Sequence, residues 1–93
     1  MKVRVAKRAQ DAVNKLQPKI GRQVAGKIAM LRTNPYPQDC KKLHGGDGAL
    51  RVTSGEYRIV YHVITEKNPD TGEDEKLLYI TAVGKRNDGE VYR

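Results

Sequence analysis

The main change in the hydrophobic period of this chain comes at Asn34-Pro35-Tyr36-Pro37. Each proline disfavours α geometry in the residue before it, so two prolines in three positions stop a helix and prevent its early resumption. Apolar residues recur at helical spacing before this break and alternate after it. A chain divided in this way builds its helices first and most of its sheet afterwards, which is the α+β class.

In the first part, Ala9, Val13, Leu16 and Ile20 fall at steps of four, three and four. Pro18 interrupts that track. Proline is poorly tolerated inside a helix but favoured in its first turn, so a second helix starts there after a tight corner. Ile20, Val24, Ile28 and Leu31 form its apolar stripe, with Ala25 and Ala29 beside it, while Lys19, Arg22, Gln23, Lys27 and Arg32 are left outside. The result is a helical hairpin with one face to bury. Ahead of it, residues 2–6 alternate, with Val3 and Val5 pointing the same way, as in a short strand.

After the break, residues 38–48 read as a loop. Gly45-Gly46-Asp47-Gly48 lacks the Gly-Lys-Ser/Thr and helix of a phosphate-binding loop, and reads as a turn. A strand over 50–53 ends at Ser54-Gly55-Glu56, a hairpin turn. In the next strand, 57–64, period two puts Tyr57, Ile59, Tyr61 and Val63 on one face and Arg58, Val60, His62 and Ile64 on the other. Residues 67–75 form a polar, acidic hairpin loop. The last strand, 76–83, is apolar over Leu77, Leu78, Tyr79 and Ile80, as suits a central position. Three antiparallel strands plus the first make a four-stranded, mainly antiparallel sheet. The N-terminal strand and helical hairpin pack on one face and leave the other open to a ligand. Ninety-three residues suit a single domain spanning 1–93.

The net charge of +7 is uneven. Glu66, Asp70, Glu73, Asp74 and Glu75 with Lys67 give −4 over ten residues, which leaves +11 on the rest. Such a body attracts a polyanion by Coulomb energy and counterion release. A membrane is a poor partner, because no basic amphipathic helix carries bulky aromatics and no run reaches the roughly 20 apolar residues of a span. The single Cys40 supports neither a disulfide framework nor, alone, a structural zinc site. Basic residues from Lys2 to Arg8 break up any signal-peptide core. The expected setting is cytoplasmic, with no cofactor and no metal.

Arg58 is placed for chemistry, inside a strand and opposite the apolar face. A guanidinium there either packs its stem while its head reaches water, or offers its fork to phosphate. Lys85, Arg86 and Tyr92 gather after the last strand, in Ala82-Val83-Gly84-Lys85-Arg86 followed by Glu90-Val91-Tyr92.

These segments carry a family resemblance. Lys41-Lys42-Leu43-His44-Gly45, Leu50-Arg51-Val52, Ser54-Gly55-Glu56-Tyr57-Arg58-Ile59-Val60-Tyr61, Val83-Gly84-Lys85-Arg86 and Glu90-Val91-Tyr92 resemble, in order and spacing, the RelE toxins of the RelE/ParE superfamily. The resemblance covers nearly the whole chain. It implies the toxin component of a type II toxin–antitoxin system: a ribosome-dependent endoribonuclease, or mRNA interferase, that cleaves mRNA in the A site without a metal. It further implies a cognate antitoxin as partner in a hetero-oligomer. Arg58 and Arg86 match the family's phosphate-stabilising arginines and Tyr92 its C-terminal tyrosine. Arg51, Thr53 and Lys85 match positions that contact substrate. Family members often carry two basic residues where Arg51 and Thr53 stand, so Thr53 is a departure. If that second position supplies the general acid, Lys85, His44 or His62 is left to replace it. Two other readings use the same fold: a ParE-like inhibitor of DNA gyrase, and a non-catalytic remnant that binds an antitoxin.

Overall fold

The structure is a computed structural model that describes residues 1–43 and 48–85. Five strands form one sheet: β1 (Lys2–Val5), β2 (Lys41–Lys42), β3 (Leu50–Ser54), β4 (Tyr57–Lys67) and β5 (Asp74–Lys85). Their order is β1-β5-β4-β3-β2, and only the β1–β5 pair is parallel. The expected sheet had four strands. The fifth, β2, is two residues long and lies in what read as loop, because two lysines on a sheet edge carry no alternation for a pattern to reveal. The apolar β5 is central, as its composition required.

Helices α1 (Lys7–Asn14) and α2 (Pro18–Thr33) cover one face, with Pro18 at the start of α2. Ala9, Val24 and Leu31 from the helices meet Leu50, Val52, Ile59, Tyr61, Leu78, Ile80 and Val83 from the sheet in the main core. The stripe of α2 is narrower than its sequence suggested. Ala25 and Ala29 are exposed, whereas Lys27 is drawn in, with only 17% of its side chain exposed, to meet Asp39 at 2.9 Å. A carboxylate from the following connection turns the lysine inward, which helical spacing alone does not foretell.

The turns follow from local chemistry. Gly55 and Glu56 join β3 to β4, with Ser54 opposite Tyr57. Gly55 has φ +60° and Glu56 has a negative φ, so this is a two-residue turn of the II′ kind, for which glycine is needed at the first position. The acidic hairpin is shorter in its loop than expected, because β4 continues to Lys67 and β5 begins at Asp74. Asn68 closes it: its backbone N–H donates to Glu73 O, its carbonyl accepts from Gly72 N, and its side chain bonds Asp70 N and Glu75 Oε1.

One irregularity in β5 decides which side chains share a face. Val60 is opposite Ala82 and Tyr61 opposite Ile80, so Thr81 is an extra residue, a β-bulge. Thr81 Oγ1 donates to Val60 O at 3.2 Å, and Arg8 Nε from α1 donates to Thr81 O at 2.9 Å. Core positions therefore run Leu78, Ile80 and then Val83, a change of parity that no count of two could anticipate.

Tyr61 ties the connector to the core. Its ring is fully buried and its hydroxyl donates to Pro35 O at 2.7 Å. Burial, with Cys40 next in effect, raises its pKa far above the ordinary phenol value, so it stays a neutral donor. Tyr61→Phe keeps the packing and orphans the Pro35 carbonyl. The expected loss is about 1–3 kcal/mol of unfolding free energy with an unchanged m-value, measured by urea denaturation.

Candidate nucleic-acid interface

The face away from the helices is built by register. Cross-strand partners point the same way, so the open face carries Lys41 opposite Arg51, Arg51 opposite Val60, Thr53 opposite Arg58, and Arg58 opposite Gly84. Ala49, Val60 and Ala82, with Leu43 against them, make a small apolar floor beside the arginines. The bulge at Thr81 places Ala82 and Gly84 here; without it the larger Val83 would occupy this side.

Arg58 lies between two short neighbours, Thr53 and Gly84, so nothing bulky from either adjacent strand walls off its side chain. It is half-buried, with its Nε shut off from solvent. Arg51 sits diagonally from it across the β3–β4 ladder, a spacing of roughly 7–8 Å between such positions. Two guanidiniums at this separation suit a chain of phosphates, and each offers a planar fork to one phosphate. Lys41 adds a third cation on the same face. Its place on this face depends on β2 pairing with β3, which no alternation in the sequence marks.

Arg51, Thr53 and Arg58, which the family resemblance had singled out, are thus brought together. Lys85 is not: it is opposite Tyr57, on the helix-side parity, and projects away from Arg58. The bulge is the cause, since an unbroken strand would have set Lys85 and Arg58 on one face. His62 shares the open face but is level with Tyr79, four residues along β4 and roughly 13 Å from Arg58. Arg86, Tyr92 and His44 lie outside the described residues. Among the described residues, no three of His, Cys, Asp and Glu converge as a metal site.

The edge beside Thr53 is held electrostatically. The Asp39 carboxylate accepts from Lys27 Nζ, and the Thr53 backbone N–H donates toward it. Lys27 holds the Asp39 pKa below the usual value of 3.8. A depressed carboxylate contributes stability that is complete above its unfolded pKa and is lost as pH falls through its folded one. The difference in unfolding free energy between wild type and Asp39→Asn is expected to be constant from pH 7 to about pH 5 and to shrink in more acidic solution. Urea denaturation at a series of pH values reads it.

No protein-family model and no curated protein sequence matches the chain. Solved structures do. The isolated E. coli RelE toxin superposes with a TM-score of 0.69 at 26% identity, over 98% of this chain and 89% of that one. A double arginine-to-alanine mutant of E. coli RelE in the free state gives 0.71 at 25%, over 98% and 88%. By its fold, the chain is of the RelE type. RelE in the archaeal RelE–RelB complex from Pyrococcus horikoshii OT3 shares the fold at 22% identity, with a TM-score of 0.67 over 95% and 97% of the two chains. The architecture inferred from the motifs, helices on one face of a mainly antiparallel sheet, is therefore the one these proteins have.

Among the described residues no helix is long and apolar enough to cross a membrane.

Proposed function

We propose that this chain is the toxin of a type II toxin–antitoxin pair and cleaves ribosome-bound mRNA in the cytoplasm. The observation that carries the reading is a RelE-type fold whose uncovered sheet face presents Arg58 between Thr53 and Gly84, with Arg51 and Lys41 alongside. Solved RelE structures include complexes with RelB, from E. coli and from Pyrococcus horikoshii, and a cognate antitoxin is the expected partner here. Residues 1–93 act as one unit.

The chemistry requires neither a metal nor a covalent enzyme intermediate. The ribose 2′-oxygen attacks the adjacent phosphorus, the 2′ proton passes to a base, and the bond to the 5′-oxygen breaks as that oxygen takes up a proton. The products are a 2′,3′-cyclic phosphate and a free 5′-hydroxyl. Charge accumulates on the pentacoordinate phosphorus centre, and fixed guanidinium charge stabilises it more than it stabilises the ground state. Arg58 and Arg86 take that role, since their very high pKa makes them poor bases. Tyr92 orients the substrate base and accepts the 2′ proton, a role for which a phenol needs a neighbouring cation. Arg51 and Thr53 hold the neighbouring backbone. Lys85, with its side chain on the other parity, contributes charge near the strand end rather than a phosphate contact.

Primer extension on a translated message tests the proposal. Wild-type protein is expected to cut within translating codons, and Arg58→Ala and Arg86→Ala to lower cleavage by about 10²–10³-fold and relieve growth arrest. Undiminished cleavage by Arg86→Ala removes the central assignment. An intact message accompanied by gyrase-dependent DNA breaks selects the ParE-like activity instead.

A further inference from the structure

The open face is not uniform. Its Arg58 end carries Lys41, Arg51 and Arg58, and none of the other open-face positions described there, Thr53, Val60, Ala82 and Gly84, is a carboxylate. At the far end the register puts Lys2, Arg4, Glu66 and Glu75 on the same face. Lys2 Nζ lies 3.0 Å from Glu75 Oε2, and Arg4 Nη2 lies 3.3 Å from Glu66 Oε1. Lys67, Asp74 and Lys76 have the helix-side parity, so the four charges of this end sum to zero.

The Arg4–Glu66 pair spans three strands. Arg4 is level with Tyr79, Glu66 is level with Glu75, and the line between them crosses β5 at Leu77. Leu77 has no helix above it, yet it is only 2% exposed. Its cross-strand neighbours on this face are Lys2 and Ile64, and side chains as long as Lys2 and Arg4 can shelter such a residue with their stems while the charged heads stay in water. Asn68 Nδ2 donates to Glu75 Oε1 and fixes that carboxylate in place, and its pKa is depressed by Asn68 first and Lys2 second.

We infer that Glu66 and Glu75 confine single-stranded RNA to the Arg58 half of the sheet face, by keeping Arg4 and Lys2 from acting as phosphate contacts. This rests on reading the face as the RNA-binding one. The pairs are solvent-exposed and individually weak, but their strength is not what matters. A phosphate approaching Arg4 has to displace a carboxylate in direct contact with it, 3.3 Å away, so it exchanges one anion for another and releases little counterion. The track therefore ends near the Val60–Ala82 pair. The same acidic residues that make the hairpin look like a solubilising loop set the length of the site.

The test is fluorescence anisotropy of the full chain with a labelled single-stranded RNA oligonucleotide, without ribosomes, over a series of salt concentrations. Wild type is expected to bind with a salt-dependent affinity, and Arg51→Gln to weaken binding and lower the salt slope by about 0.7, the value of one phosphate contact on a single strand. Arg4→Gln, which keeps part of the stem over Leu77, is expected to change neither. The double variant Glu66→Gln/Glu75→Gln is expected to bind more tightly and to steepen the slope by up to about 1.4. Adding Arg4→Gln to it takes back about half of that gain, which shows that the gain runs through Arg4 and not through net charge alone. Circular dichroism melts establish that each variant is folded. If wild type binds and Arg4→Gln weakens it as much as Arg51→Gln does, the division of the face is wrong while the RNA reading stands. If wild type shows no salt-dependent binding, the RNA reading of the face fails, and the inference with it.

Discussion

The β4–β5 ladder, with its one-residue bulge at Thr81, is the constraint on which the rest of this structure depends. It is the longest pairing in the sheet, and both its outer neighbours, β1 and β3, take their register from it. A strand has only two faces, so one inserted residue exchanges every side chain beyond it. Here the exchange sends Val83 into the core and leaves Ala82 and Gly84 on the open side. Arg58 then has a neighbour without a side chain on one flank and a threonine on the other. The hydrogen bonds from Arg8 and the Thr81 hydroxyl hold the bulge, and through it a residue of α1, behind the sheet, shapes the face in front.

Covering only one side of the sheet creates the second constraint. Helices α1 and α2 bury the apolar side, and every side chain on the other must either be polar or be sheltered by its neighbours. The molecule uses two solutions on the same face. Toward Arg58, small residues form a shallow floor beside Lys41, Arg51 and Arg58. Toward the acidic hairpin, paired Lys, Arg and Glu side chains lie over Leu77. Of the charge outside the acidic segment, Lys41, Arg51 and Arg58 stand together on the Arg58 half of the face, which gives a polyanion a local place to bind.

The likeness to RelE lies in the fold more than in the letters. At about one residue in four identical, the sheet order and the helical cover are kept while most side chains differ. This is expected where packing asks only for apolar volume at the right parity. A fold does not carry an activity with it, so the proposed catalysis rests on Arg58 and its place on the open face, and on the resemblance at Arg86.

Much of the architecture was legible in the sequence because it depends on local period and on proline. The two helices, the corner at Pro18, the end at Asn34, the Gly55 turn, the central place of β5 and the face of Arg58 all follow from residues close together along the chain. What the sequence could not reveal depends on pairing. Lys41-Lys42 becomes a strand only because the β3 edge is beside it, and Lys27 turns inward only because Asp39 is waiting there. Lys85 leaves the face of Arg58 because Thr81 bulges against Val60. The acidic residues looked like a solvated loop until β1 placed Lys2 and Arg4 across from them. Short-range sterics and periodicity belong to the sequence itself. Parity past a bulge, and the partner of each charge, come into being only when distant strands are brought side by side.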